Sequence, residues 1–244
     1  MRSLILALSL IWAMPAMAQQ QPDGWSYGAF STIGSSFYVG QDRSLIVLPG
    51  LSYKSGPWRA GLNGVSYRHI DNGRDRLTFS LKPRFFGLIL NDAPELAGID
   101  RNITADLETD YRFKASDDLS FGLRGAFEVS GAHSGQEFEI DVEQKISVAG
   151  IPLWLGGALT WQSPDLAGYL YGVGASEAVS GRPSYDPGAV LIPSVSLSSG
   201  YPISKSTFMF ASLNYRILPD EISSSPIVSA SDQLRLILGV TTSF

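Results

Sequence analysis

The sequence predicts an all-β fold, a transmembrane antiparallel β-barrel of twelve strands, with ten strands as the alternative. Three observations predict it. Segments of about ten residues alternate between apolar and polar side chains, which gives a strand two different faces. Their length suits a tilted strand that crosses a bilayer in roughly 9 to 11 residues. The connections between them alternate between short and long, as in outer-membrane barrels.

The first 18 residues are predicted to be a cleaved signal peptide. Met1-Arg2 gives a positive start, residues 4–14 are an apolar run without charge, and Ala16-Met17-Ala18 precedes Gln19 as a small-x-small cleavage pattern. A membrane anchor would need about 18 apolar residues, and this run is shorter. We therefore expect export to the outer membrane of a Gram-negative cell and a mature barrel over residues 19–244.

The composition limits the classes of partner. The chain has no cysteine, so no disulfide holds it, and its net charge of −5 argues against a nucleic-acid partner. The size of the mature chain fits one large all-β domain. We predict outer-membrane lipid as its surroundings and no cofactor or metal.

The strands can be assigned in chain order from the alternation. In residues 138–148, Phe138, Ile140 and Val142 share one face while acidic residues share the other. A helix would scatter these charges around its circumference. Eleven segments follow the pattern: 25–33, 45–54, 58–67, 76–86, 103–114, 119–129, 138–148, 153–161, 191–201, 207–217 and 234–244.

Eleven strands conflict with a barrel whose two termini lie on the same side, because that barrel needs an even number. The alternation slips at Asn63-Gly64, and a second Asn-Gly follows at Asn72-Gly73. Asn-Gly is a strong hairpin signal, whereas the slip is also typical of a bulge. We predict twelve strands, with ten if the region holds one strand fewer.

A soluble sandwich would also show alternation, so loops and aromatics decide between the two. Long connections over 162–190 and 219–231 alternate with short turns such as 149–152 and 202–206. Aromatic residues form two groups near the two ends of the strands, where interfacial anchoring places them. Both features favour a membrane barrel.

The last segment carries a predicted assembly signal. Leu236, Leu238, Val240 and the terminal Phe244 lie on one face of an uninterrupted alternation. A C-terminal Phe on such a strand resembles the recognition signal of bacterial outer-membrane barrels.

Charged side chains on the polar faces are predicted to line the lumen as two walls. The basic wall comprises Arg59, Arg68, Arg76, Lys82, Arg84, Arg216 and Arg235, and the acidic wall comprises Asp106, Glu108, Asp110, Glu139, Asp141 and Glu143. The walls form either a network of salt bridges that fills the barrel or an aqueous pore with a transverse field.

The longest connection, 162–190, is the predicted external functional loop. Loops beyond about 12 to 15 residues are uncommon without a function. It carries Tyr169, Tyr171, Arg182 and Tyr185. Either it presents an outward contact surface, or it folds back as a lid over the lumen.

Catalysis is not expected. An outer-membrane hydrolase usually needs a His as general base, and the chain has only His69 and His133. His133 precedes Ser134 and lies near Glu137 in sequence, but a triad depends on geometry. Both His residues are predicted to be solvated loop residues.

Several ordered motifs resemble the MipA/OmpV family of outer-membrane proteins. They are Tyr-Leu-Tyr-Gly-Val at 169–173, the segment 180–188, Ser-Pro-Ile-Val at 225–228, Leu48-Pro49, and Pro-Glu-Leu-Ala-Gly at 94–98. The first turn departs from the pattern, because residues 35–40 lack the expected proline.

The resemblance implies a function as well as a fold. The best-known member is a scaffold that links a lytic transglycosylase, a murein hydrolase, to a penicillin-binding protein, a murein synthase. Other members are porin-like or surface proteins. The family has no catalytic residues to transfer. We therefore expect a scaffold or surface protein, with a small-solute channel as the alternative.

Overall fold

The computed structural model describes residues 23–41, 44–85 and 93–244, so the predicted signal peptide lies outside the described residues. Twelve antiparallel strands form one closed barrel in which each strand pairs with its neighbours in the chain and β1 pairs with β12. The twelve-strand prediction is confirmed. The strands are β1 Gly24–Gly34, β2 Ser44–Ser55, β3 Trp58–Gly61, β4 Gly64–Asp71, β5 Asp75–Arg84, β6 Thr104–Lys114, β7 Leu119–Glu128, β8 Gln136–Val148, β9 Ile151–Gln162, β10 Val190–Pro202, β11 Thr207–Ile217 and β12 Asp232–Ser243.

The twelfth strand comes from the segment 58–67, which the alternation treats as a single strand. The chain reverses at Leu62-Asn63, so that Gly61 pairs with Gly64 and the segment becomes β3 and β4. It reverses again between Asp71 and Asp75, around the second Asn-Gly. Both Asn-Gly pairs therefore mark hairpins. The slip at Asn63-Gly64 is thus a hairpin and not a bulge, and the register of β4 against β5 shifts elsewhere, between Arg68 and Ile70.

The outer surface of the barrel is apolar. Alternate side chains of the strands point outward and stay exposed; Leu45, Leu107, Ile140, Leu155 and Val195 are each at least half exposed. Such a surface requires lipid, since water would have to solvate every one of these side chains. Separately, no helix in the described ranges is long and apolar enough to span a membrane.

The two ends of the barrel differ. The ends of β1 and β12 that hold Gly24 and Ser243 lie beside short turns, which marks this end as periplasmic. Aromatic pairs sit there at the lipid boundary, including Trp25 with Tyr53 and Trp58 with Tyr67. The opposite, external end carries the long connections, and the described part of these includes a 3-10 turn at Pro94–Leu96, α1 at Pro164–Tyr171 and α2 at Asp220–Ser223.

Candidate functional site

Ion pairs line one side of the lumen, where they join side chains of β5, β6, β7 and β8. Glu137 is their centre and is only 1% exposed. Arg84 lies 3.6 Å from its Oε2, and Arg124 lies 3.0 Å from its Oε1. The amide of Gln162 donates to the same carboxylate at 2.7 Å. A buried carboxylate is stable only with such partners, so these contacts hold four strands together.

Further pairs continue the network along the same wall. Arg84 also pairs with Asp106, and Lys82 with Glu108. Towards the periplasm, Arg112 contacts Asp141 with two nitrogens, at 3.0 and 3.1 Å. A bidentate ion pair of this kind fixes the orientation of both side chains.

The acidic wall is therefore neutralised largely by its own neighbours. Arg112 and Arg124, which the sequence analysis does not include in the basic wall, supply much of the positive charge. Arg112 lies on β6 beside the acids of that strand, and Arg124 lies on β7, between the two strands that carry the acids. Both arginines lie on the polar face of segments that alternate between apolar and polar residues, 103–114 and 119–129. This alternation is sufficient to predict that they face the lumen. Glu139 completes the set by accepting a hydrogen bond from Thr160 at 2.7 Å.

The rest of the predicted basic wall lies elsewhere. Arg68 and Arg76 contact Asp71 near the periplasmic end, at 2.8 and 4.0 Å. Arg216 and Arg235 face the lumen on β11 and β12, and within the described ranges neither has a carboxylate within 4.0 Å. Arg59 is placed on the inward face of β3, and Asp110 and Glu143 on the inward faces of β6 and β8.

Above the lumen, the external loops form a hydrophobic core across the mouth. The side chain of Ser163 caps the N-terminus of α1, which begins at Pro164 and buries Leu166, Ala167 and Leu170. They pack with residues from other loops and from the top of β10; the buried set is Tyr38, Ala93, Leu96, Ile99, Leu166, Ala167, Leu170, Tyr171, Val173, Val190, Ile192, Leu218, Ile222, Ile227 and Val228. We call this set the mouth core.

Polar contacts tie the loop that follows β9 to other loops. Arg101 pairs with Glu177 and donates to the carbonyl of Gly172 at 3.1 Å. Arg182 donates to the carbonyls of Glu95 and Ala97, at 2.7 and 2.9 Å. The hydrogen bond from Arg101 keeps the pKa of Glu177 below its usual value.

Tyrosines add contacts to the remaining loops. Tyr38 donates to the carbonyl of Leu170 at 2.9 Å, and Tyr185 donates to that of Glu221 at 2.9 Å. Tyr169 stacks on His133 with ring centroids 4.5 Å apart.

The long loop between β9 and β10 could form either an outward contact surface or a lid over the lumen. Its buried contacts with the other external loops are those of a lid. Tyr171 and Arg182 are 3% and 5% exposed, so they are not part of an outward contact surface. That expectation is wrong for these two residues, because the neighbouring loops cover them. Sequence periodicity cannot reveal such contacts, since the partners are distant in the chain and belong to irregular segments.

The residues considered for catalysis are not assembled into a site. His69 lies on the outer face of β4 between Tyr67 and Phe79. The Nδ1 of His133 accepts from the backbone of Gly135 at 3.0 Å, and burial lowers the pKa of this His. Neither is a solvated loop residue, contrary to expectation. In the described segments no hydrogen bond joins His133 to Ser134 or Glu137, and no cluster suits a metal ion.

A family model, relatives in sequence and a solved structure all indicate similarity to outer-membrane proteins. The family model for "MltA-interacting protein MipA" matches residues 27–244. The chain is 24% identical to the putative outer membrane protein YiaT of Escherichia coli K12, over 96% of each chain, and 24% identical to the MltA-interacting protein of the same organism, over 98% of each. Among solved structures, the COG4313 outer membrane channel of Pseudomonas putida F1 is similar in fold, with a TM-score of 0.54, 12% identity and coverage of 95% of this chain and 100% of that one.

The family match covers nearly all of the barrel, and the relatives are outer membrane proteins. The predicted family and location are thus confirmed. The chain belongs to the MipA family of outer-membrane β-barrel proteins.

Proposed function

We propose that this barrel is a non-enzymatic docking protein of the outer membrane that conducts no solute in its resting state. Its proposed partner is a lytic transglycosylase, because a relative is named MltA-interacting protein. The observation that carries the proposal is the mouth core, which covers the external end of the lumen.

The mouth core makes a costly barrier to solutes. Leu166, Ile192 and Ile227 are each at most 1% exposed, and a solute would have to separate them from their neighbours. Exposing one such side chain to water costs about 1.5–3 kcal/mol. Several together oppose spontaneous opening, and the ion pairs at Glu137 narrow the lumen below.

Planar-bilayer recording tests the closed state. The wild-type protein is expected to give no steps above the lipid background. The double variant Leu166→Asp, Leu170→Asp should conduct, since charges in the mouth core disrupt the lid; it also shows that the inserted protein is detectable. Regular conductance steps from the wild type would overturn the proposal.

Docking of a murein enzyme must use the periplasmic end, where only short turns are available. A stable interface buries about 800 Å² per partner, more than one such turn provides. A partner must therefore contact several turns together. Asp117 and Asp118 lie exposed in one of them, between β6 and β7.

Co-purification from detergent-solubilised envelopes tests this docking. Wild-type protein should retain the lytic transglycosylase, and we extend the proposal to a penicillin-binding protein recruited with it. Asp117→Lys with Asp118→Lys should reduce recovery several-fold. The matched control, Asp220→Lys with Glu221→Lys, lies exposed at the external end and should have no effect. Repeated failure to recover either enzyme would remove the scaffold role.

A small-solute channel remains the second candidate, because Arg216 and Arg235 face the lumen without a carboxylate within 4.0 Å in the described part of the chain. If the lid opened, these cations would favour anions. Anion-selective wild-type currents that disappear in Arg216→Ala with Arg235→Ala would support this candidate over the first.

Export is proposed to use residues 1–18 as a cleaved signal. Intact-mass measurement of protein purified from outer membranes should give a chain that starts at Gln19. A mass that includes Met1 would contradict cleavage.

A further inference from the structure

Two arginines face the lumen side by side near the external ends of β11 and β12. Arg216 pairs with Gln233, and Arg235 lies two residues further along β12. Their neighbours Tyr215 and Leu234 are exposed on the lipid-facing surface, so both arginines point inward. Residues in this diagonal relation have Cα atoms about 7–8 Å apart, which lets two long side chains reach one small ligand.

The strands around these arginines, β9 to β12 and β1, are described in full and are otherwise uncharged on their inward faces. Across the described ranges, no carboxylate lies within 4.0 Å of Arg216 or Arg235. The lumenal acids lie on β6 and β8, where Glu137 is already paired with Arg84 and Arg124. This part of the wall therefore carries two positive charges that repel each other and favour a bound anion.

The two arginines border a space inside the barrel. Ser194 lies opposite Arg216, and Asn214 lies opposite Arg235. We call these four residues the arginine site. All four stay partly exposed although they point away from the lipid, so the surface that they expose faces the lumen. On the wall formed by β5 to β8, by contrast, Glu137 is only 1% exposed, because ion pairs fill the lumen there.

The space at the arginine site is limited above and below. Ile192, two residues above Ser194 on β10, is 0% exposed and belongs to the mouth core. Below, Phe30 and Phe210 both lie beside Gly239, with ring centroids 5.8 Å apart. Gly239 is four residues from Arg235, which corresponds to about 13 Å along the strand. These limits suit a small ion or metabolite.

A route to the site runs along β9. Its inward residues Ala158, Gly156 and Trp154 stay partly exposed, so the space inside the barrel continues towards the periplasm. The mouth core covers the external end. An anion therefore reaches the arginine site from the periplasmic side while the lid is closed.

The geometry of the donors favours a phosphate group over a carboxylate. One guanidinium already satisfies both oxygens of a carboxylate in a bidentate pair. A phosphate group has at least three acceptor oxygens and carries more than one negative charge at neutral pH, so it can accept from two guanidinium groups at once. The hydroxyl of Ser194 and the amide of Asn214 are further donors on the same face.

We propose that the arginine site binds a small phosphate-bearing anion inside the closed barrel. The anion neutralises Arg216 and Arg235, as the acids of β6 and β8 neutralise the arginines of the ion-pair network. The proposal requires neither a murein-enzyme partner nor an open lid. Loss of docking, or the absence of conductance, would therefore leave it unaffected.

Isothermal titration calorimetry of the detergent-purified barrel with inorganic phosphate at low salt tests the site. The wild type should bind one phosphate with a saturable signal. Arg216→Met and Arg235→Met should each weaken binding by about tenfold or more, and the double variant should show no binding. Arg76→Met is the matched control, because this lumenal arginine has Asp71 as its partner, and its binding should equal that of the wild type. No saturable signal from the wild type, or an equal loss in the control, would overturn the proposal.

Two further measurements on the wild type identify the anion without relying on variants that could fail to fold. Phosphate should raise the temperature at which the barrel loses its heat-modifiable form, and acetate at equal ionic strength should not. Equal shifts with the two anions would show a general salt effect and refute the site. Titration with glycerol 3-phosphate distinguishes the sources: tighter binding than that of inorganic phosphate indicates a phosphate ester, and weaker binding indicates the free ion.

Discussion

Glu137 shows how a single buried carboxylate organises the lumen. Its two oxygens contact Arg84, Arg124 and Gln162, which come from three different strands. Removing one member of a buried ion pair usually costs more than the pair contributes, because the partner charges stay buried without compensation. The ion pair between Asp71 and Arg68 differs from that of Glu137, because the side chains of both residues are about one-third exposed.

Glu137→Ala is expected to lower the free energy of unfolding by about 3 kcal/mol or more, since Arg84 and Arg124 lose a partner that water cannot replace. Asp71→Ala should cost at most about 1 kcal/mol, as for exposed pairs. Urea unfolding of the barrel in lipid vesicles gives both values. Equal losses in the two variants would show that burial does not control the strength of these pairs.

At the scale of elements, the β3–β4 hairpin contains the two shortest strands of the barrel. Gly64 has a φ of +106° and would place a Cβ 2.1 Å from the carbonyl oxygen of Leu81. Gly73 also has a positive φ, of +85°, but has nothing within 4 Å of a Cβ. The two glycines therefore separate the effect of backbone conformation from that of crowding.

Gly73→Ala should cost about 1–2 kcal/mol, the usual penalty for a left-handed backbone with a side chain. Gly64→Ala should cost more by about 1–3 kcal/mol, because the new methyl group also overlaps β5. Comparison of urea midpoints for the two variants checks the difference. If Gly64→Ala were the milder change, the close approach of β4 to β5 at this point would be refuted.

The lid is the second element with a specific prediction, which concerns pH. The pKa of Glu177 is lower in the folded lid than its value of 4.5 in an unfolded loop, chiefly because Arg101 donates a hydrogen bond to it. The resulting stabilisation is complete above pH 4.5 and is lost as the pH falls through the lower, folded pKa. Acid should therefore loosen the lid.

Proteolysis of the 163–189 loop, measured from pH 7 down to pH 3 with an acid-tolerant protease, should accelerate below about pH 4.5. In Glu177→Gln the loop should be cut faster at neutral pH, and this acid-dependent acceleration should be smaller. A variant that keeps the full pH dependence would show that another group controls the lid.

For the whole molecule, the sequence predicts the barrel well because membrane crossing imposes alternation on every strand. Residues 234–244 illustrate this, since lipid and lumen require opposite chemistry at successive positions. The sequence does not determine the β3–β4 turn, because Asn63-Gly64 fits both a hairpin and a bulge. The burial of Tyr171 and Arg182 could not be predicted, since it depends on contacts among irregular loops that no period describes.

Closure of the whole barrel depends on the seam between β1 and β12, which runs from Ser26 and Ser243 to Gly34 and Arg235. Phe244 lies just beyond this ladder. Its backbone N–H donates to Trp25 at 3.2 Å, its ring lies 5.4 Å from that of Tyr27, and the residue is 72% exposed. The seam therefore loses one hydrogen bond and one ring contact without it.

Deletion of Phe244 should accordingly separate assembly from stability. In cells, we expect the amount of heat-modifiable barrel in the outer membrane to fall several-fold, because the terminal aromatic is the proposed assembly signal. Purified protein refolded in detergent should still form the heat-modifiable species, since the ladder from Ser26 to Gly34 is intact. Phe244→Tyr is the control and should assemble as the wild type does. Normal outer-membrane levels after deletion would contradict a signalling role, and failure to refold in detergent would show that the residue acts on stability instead.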